Sequence, residues 1–179
     1  MLKGRIKRKR NGYSMAELPL ALWVTFMFLF FPLVCLATCT LRFAFLMTAA
    51  HEAAYQAALS KTYSTDVSAS DQCAINSATS TANNVAANFT GITVQSVKTV
   101  IVQSDSQSNN VKTFTSKLAN PADTSRYVYM LQTTVVGSIL PLIGGQSKAL
   151  LGNVPGLTAP MVVQATSRKV AENPQGLNL

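Results

Sequence analysis

The chain has 179 residues, 48% of them hydrophobic and 12% charged, with a formal net charge of +8. Lys3, Arg5, Lys7, Arg8, Lys9 and Arg10 concentrate positive charge in the first ten positions, while Lys61, Lys98, Lys112 and Lys148 lie scattered further on. A nucleic-acid groove needs charge clustered on a folded domain, so nucleic acid is set aside as a partner; the length leaves room for one soluble domain beside an apolar segment.

After the basic tip, the run from Leu18 to Leu41 carries no charged residue and includes Trp23, Phe26, Phe28, Phe30 and Phe31. At ~1.5 Å per residue it reaches ~36 Å, enough to cross a hydrocarbon core of ~30 Å with some tilt. A domain this small cannot wrap such a helix on all sides, which argues against a buried core helix. Only Arg42 follows the run closely, so the positive-inside rule keeps the N-terminus cytoplasmic and sends the rest outside. An ordinary cleaved signal has an apolar stretch of only ~7–15 residues. Leu36-Ala37-Thr38-Cys39 approximates a lipoprotein cleavage pattern, but Thr38 fits poorly before the cysteine. Cys35 and Cys39 share one helix face and read as small apolar fillers.

Helical sequence continues past the apolar run to Lys61, without Gly and rich in Ala. A helix from near Met15 to Lys61 would be ~70 Å long. Pro19 and Pro32 should bend it, Pro32 freeing a carbonyl within the bilayer. Ala50, Ala53, Ala54, Ala57 and Ala58 form a narrow stripe that lets another backbone approach closely, with packing onto the chain's own domain expected for its C-terminal half. A second helix is predicted from about Asp71 to Asn88, capped by Ser70 or Asp71, with Ala74, Ala78, Ala82, Val85, Ala86 and Phe89 on its apolar face. Cys73 in this region is either a buried free thiol or a site of intermolecular pairing.

Strands follow. Thr90–Gln103 is rich in β-branched residues, with Ile92, Val94, Val100 and Val102 in one phase and Val97 in the other, which predicts a bulge or turn near Ser96. Asp105–Asn110 reads as a polar turn and Val111–Ser116 as a short strand. Arg126–Val136 alternates, with Tyr127, Tyr129, Leu131 and Val135 on one side, and Met161–Val170 is the last strand. Between the last two strands, Gly137–Pro160 mixes aliphatic residues with Gly and Pro and has Lys148 as its only charge. It reads as a loop with a short helix folded over the sheet, or else as an exposed apolar patch for a partner or the bilayer surface. The predicted fold class is α+β, with the second half of the long helix and the second helix on one face of a small antiparallel sheet. The chain divides into a basic leader at 1–12, a transmembrane and extended helix at 13–61, and an extracytoplasmic domain at 62–179.

Residues suited to catalysis are few. His51 is the only histidine, and His51-Glu52-Ala53-Ala54-Tyr55 puts Tyr where a zinc-protease helix needs its second histidine. A lone histidine gives neither a histidine metal cluster nor a nucleophile–base pair. Glu52, Asp66, Asp71, Asp105, Asp123 and Glu172 show no spacing that converges on a site. No enzyme, metal or cofactor is therefore expected.

One constellation stands apart. Gly12 closes the basic run, and Glu17, five residues on, enters the apolar helix, where a carboxylate is expensive without a partner. A glutamate at a helix N-terminus also suits the helix dipole. This string, Lys-Arg-Lys-Arg-Asn-Gly12-Tyr13-Ser14-Met15-Ala16-Glu17-Leu18, resembles a type IV prepilin signal. The resemblance implies cleavage after Gly12 by a prepilin peptidase. It further implies pairing of Glu17 with the Tyr13 amine of a neighbouring subunit.

Ala49-Ala50-His51-Glu52-Ala53-Ala54-Tyr55 is similar to the Ala-Ala-Arg-Glu-Gly-Ala-Arg signature of the TadE-like pseudopilins of tight-adherence pilus systems. His51, Ala53 and Tyr55 depart from that signature. Tyr127–Ile143 and the ending around Arg168 and Glu172 resemble the family's later strands. The resemblance implies a pilin-like fold and a minor pilin or pseudopilin in the inner membrane. Its partners would be other pilin subunits, the pilus assembly platform and the lipid bilayer. An unprocessed bitopic scaffold and a membrane-anchored enzyme are the rival classes.

Overall fold

The computed structural model describes residues 13–64, 73–108, 110–142 and 152–179, with side chains from Leu18 onward. The basic leader with Gly12, the predicted caps Ser70 and Asp71, and Lys148 lie outside the described residues.

Helix α1 (Tyr13–Thr25), a π-helical turn (Phe26–Phe30) and helix α2 (Phe31–Leu59) follow one another without a gap. Pro19 sits inside α1. Pro32 is answered by the widened turn rather than by a break: the Phe31 N–H bonds to the Phe26 carbonyl, five residues back. Proline has no N–H and its ring crowds the preceding turn, and a π turn is one way to absorb both effects. Among the described residues, one helix, Leu18–Leu59, is long and apolar enough to cross a membrane, with a mean hydropathy of 2.4 over its best window. Its first half projects Trp23, Phe26 and Phe28 outward, Phe28 at 80% exposure. α2 stops at Leu59, slightly before the expected Lys61, where Ser60 turns extended.

The second half of α2 is the spine of the domain. All five alanines of the stripe are buried within the chain itself, so intramolecular packing covers the whole stripe. Helix α3 (Ala74–Ala87) contributes Ala74, Ala78 and Ala82 to the same core as Ala50, Ala53 and Ala57. The expected cap is corrected: the N-cap is Cys73, extended and fully buried, with no side-chain cap hydrogen bond. Val85 and Phe89 are only partly buried, and Phe89 stacks on Phe45 of α2 with ring centroids 4.0 Å apart.

Four antiparallel strands, β1 (Ile92–Asp105), β2 (Val111–Phe114), β3 (Tyr127–Ile139) and β4 (Met161–Val170), form a sheet in the order β2-β1-β3-β4. The β1–β3 register shifts between Val94 and Ser96, as the phase break in the sequence implies. The phase assignment itself is corrected. The extra residue at the bulge brings Val97 and Ile101 onto the core face with Ile92 and Val94. Val100 and Val102 are turned to the opposite face, because side chains alternate and one inserted residue exchanges the faces. On the core face Ile101, Leu131, Val135 and Ala165 meet Leu46 and the alanines of α2.

The end of α2 is tied down from several directions. Tyr63 is fully buried and donates its hydroxyl to the Thr99 carbonyl at 3.0 Å. The Glu172 N–H donates to the Ala58 carbonyl, and the Tyr63 N–H to the Gly176 carbonyl. Gly176 belongs to a 3₁₀ turn (Pro174–Asn178), and a Cβ built there would fall on the carbonyl of Lys61. Gly176→Ala therefore has to push this turn off the end of α2. The expected loss is on the order of 1–3 kcal/mol, read as a lowered midpoint in chemical denaturation.

At this same end of the sheet, where Asp105 pairs with Tyr127, Asp105 closes the β1–β2 turn. Its carboxylate accepts from the Gln107 N–H at 2.9 Å, the Arg126 guanidinium at 3.0 Å and the Ser108 hydroxyl at 2.8 Å. These donors, Gln107 foremost, hold the Asp105 carboxyl well below the usual carboxylate range. A depressed folded-state pKa stabilises fully above the unfolded value of ~3.9 and loses that effect as pH falls through the folded value. Asp105→Asn should therefore destabilise at neutral pH. The gap to wild type should close as pH is lowered below about 4, in paired denaturant titrations.

Candidate functional site

The residues singled out in the sequence occupy three separate places. Tyr13 opens α1 and Glu17 lies one turn further along it. The alanine stripe is interior. His51 and Tyr55 are exposed on the outer side of α2, Glu52 is half-buried, and His51 adjoins Thr166 and Ser167 of β4. Arg168 is exposed and bonds its Nε–H to Gln132 at 2.6 Å, with that pair on the sheet face away from the helices. Glu172 is exposed just after β4. His51, Glu52, Arg168 and Glu172 are therefore not brought together. Among the described residues no three His, Cys, Asp or Glu side chains gather in metal-binding range.

The structure instead builds a junction where the apolar half of the long helix meets the domain. The packing face of α2 runs back from Leu46 through Arg42 and Cys39 to Cys35, at spacings of three and four. Arg42 donates to the Leu140 carbonyl, just after β3. Gly91, just before β1, has φ +82°, and a Cβ there would collide with the Arg42 guanidinium. The Leu140 N–H in turn donates to the Gly91 carbonyl at 2.9 Å, so one arginine spans the ends of both central strands. Next to it, Gly137 leaves space for the Leu46 side chain, which reaches within 2.8 Å of where a Cβ would stand. Sequence reading used Arg42 for orientation only. A glycine ahead of a β-branched run, paired with a lone arginine after an apolar run, was the available signal.

The second part of the junction is the loop before β4. Of the expected loop Gly137–Pro160, residues 137–142 and 152–160 are described: Gly137–Ile139 still belong to β3, and the short helix folded over the sheet is not found in 152–160. That portion is a series of turns seated against α2 beside Cys35 and Cys39, not over the sheet. Gly152 and Gly156 take positive φ and allow the tight path. Thr158, almost fully buried, accepts from the Val154 N–H at 2.9 Å and donates to the Gly152 carbonyl at 2.6 Å. The Cys39 thiol donates to the Gly156 carbonyl at 3.1 Å. Cys35 is 2% exposed, although it belongs to the apolar run. Between loop and helix remains a mostly apolar cavity of about 450 Å³, bordered by Pro32, Leu36, Phe43, Leu157 and Met161.

Cys73 is settled as a buried thiol in this fold. It donates to the Ser64 carbonyl and accepts from the Ser64 N–H, both at 3.3 Å. Comparison with protein-family models, curated proteins and solved structures finds no match for this chain. Cys73 should resist a maleimide reagent in the folded, detergent-solubilised chain and react once the domain is denatured, as followed by peptide mass spectrometry. Modification at equal rates in both states would mean that the thiol is open.

Proposed function

We propose that this chain is a single-pass subunit of a surface filament system, a minor pilin or pseudopilin of the TadE-like kind. In this reading the N-terminus is cytoplasmic and the sheet domain lies outside the inner membrane. One observation carries the proposal: a contiguous helix from Tyr13 to Leu59 is apolar and exposed in its first half and the spine of an α+β domain in its second. Gly12 and Glu17 at its start supply the chemistry of processing and pairing. The role is structural rather than catalytic.

The proposed sequence of events follows from charge. Cleavage after Gly12 removes the six leader charges and uncovers one amine at Tyr13. Glu17 then sits about one helical turn away near the apolar boundary. An unpaired carboxylate well inside a bilayer costs about 2.5–3.5 kcal/mol on insertion scales, and a neighbour's amine offsets part of that. Pairing between subunits thus favours lateral assembly over a lone subunit. The likeness of Ala49–Tyr55 and of the closing strand to TadE-like proteins supports the same reading.

The test is the mature N-terminus of the protein from its native membrane. Tyr13 is the expected first residue, by mass spectrometry. A bulky residue in place of Gly12 should block the cut. Glu17→Ala should still be cut but should co-purify poorly with its partner subunits. Retention of residues 1–12 in the native protein would replace the processed pilin with an unprocessed bitopic scaffold on the same anchor.

A further inference from the structure

We propose that the loop from Val154 to Ala159, with Leu140 and Leu142 beside it, is immersed in the bilayer leaflet on the domain's side. The proposal needs only that the apolar helix spans a membrane. It is independent of processing and of filament assembly.

Depth along the helix is the first argument. A hydrocarbon core of ~30 Å takes ~20 helical residues. Counted from Leu18, the earliest available start, the core extends at least to Ala37, and the uncharged run continues to Leu41. Pro155, Gly156 and Leu157 lie against Cys35, Leu36 and Cys39. Cys39 is bonded directly to the Gly156 carbonyl. The loop thus reaches the level where the helix is still within, or at the edge of, the hydrocarbon.

Chemistry is the second argument. Leu140, Leu142 and Val154 are 44%, 46% and 43% exposed. Neither 137–142 nor 152–160 contains a charged residue. The loop also bonds each of its backbone N–H groups from Val154 to Ala159, that of Val154 going to the Thr158 hydroxyl. The N–H groups of Leu157, Thr158 and Ala159 all donate to the Val154 carbonyl, and the Gly156 N–H donates to that of Ala159. These bonds lower the cost of bringing irregular backbone to the edge of the hydrocarbon, where remaining carbonyls still meet headgroup water. The first charge above the loop is Arg42, one turn beyond Cys39, held by the Leu140 carbonyl where headgroups would lie. Water would leave these two leucines and one valine half-exposed with no apolar partner, whereas lipid chains at that depth cover them and the adjoining cavity.

Single-tryptophan fluorescence tests this in full-length chain reconstituted into phosphatidylcholine vesicles with brominated acyl chains. Trp23 is the only native tryptophan and reports on the span itself. In a Trp23→Phe background, Val154→Trp and, separately, Leu140→Trp place the probe at half-exposed positions that tolerate a larger ring. Both variants should lose emission to chains brominated near their glycerol end, by about the fraction lost by Trp23 to deeper bromines. Val128→Trp, near the start of β3 and about 36 Å along that strand from Ile139, should lose none. Quenching of both loop probes no greater than that of Val128→Trp, with Trp23 quenched normally, overturns the immersed loop and leaves the span intact. A blue-shifted but unquenched loop probe, dependent on the protein-to-lipid ratio, also overturns it and assigns the surface to a second copy of the chain. An unquenched Trp23 removes the membrane span and the loop's place in it together.

Discussion

Close approach of α2 to α3 and the sheet is the contact on which the domain depends. Alanine is the side chain that permits it. Ala50, Ala53 and Ala57 share a core with Ala74, Ala78 and Ala82, and larger side chains such as Leu46, Ile101 and Leu131 fill the remaining space. Each alanine removes little apolar area from water, so the stripe alone supplies modest hydrophobic stabilisation. The remaining hold comes from specific ties at the two ends of the buried segment. At one end are Tyr63, Glu172 and the 3₁₀ turn; at the other are Arg42, Gly91 and Leu140. Mobility between helix and domain would require these polar ties to open together with the core.

The same helix has a different surface over its first half, apolar and long enough to cross a membrane. There the large side chains project outward, Trp23 at 61% and Phe28 at 80% exposure. The change occurs along one face, where Cys35 is already covered and Leu36, beside it, is not. Apolar surface of this extent is unfavourable in water. Proposals for pilin-like assembly and for the immersed loop both start from this property, and they differ in which end of the helix they use.

Local pattern made much of the fold legible. Alternation marked β3 as far as Val136, and the phase slip in β1 announced its bulge. Alanine spacing located α3 except for its start, which lies at Cys73 because the chain there is fixed by Thr62 and Ser64 rather than by a capping side chain. The junction was not legible, for a physical reason. Arg42 meets Leu140, and Cys39 meets Gly156, across separations that no local period encodes. The motif around His51 and the ending around Arg168 carry separate parts of the resemblance, and the fold puts His51 on the outer side of α2 and Arg168 on the sheet face away from the helices. Counting in twos from Ile92 likewise misplaced Val100 and Val102, since a period predicts a face only until a residue is inserted.

The π turn at Phe26–Phe30 has an angular consequence. An α-helix turns ~100° per residue, so a turn that accommodates one extra residue rotates everything before it by about that angle relative to everything after. Tyr13 and Glu17 lie before the turn, and the face defined by Cys35, Cys39 and Arg42 lies after it. The azimuth of the start of the helix is thereby offset from the azimuth of the sheet domain by about a quarter-turn that regular spacing would not give. Pro32, which touches neither end, sets the compass bearing of one relative to the other.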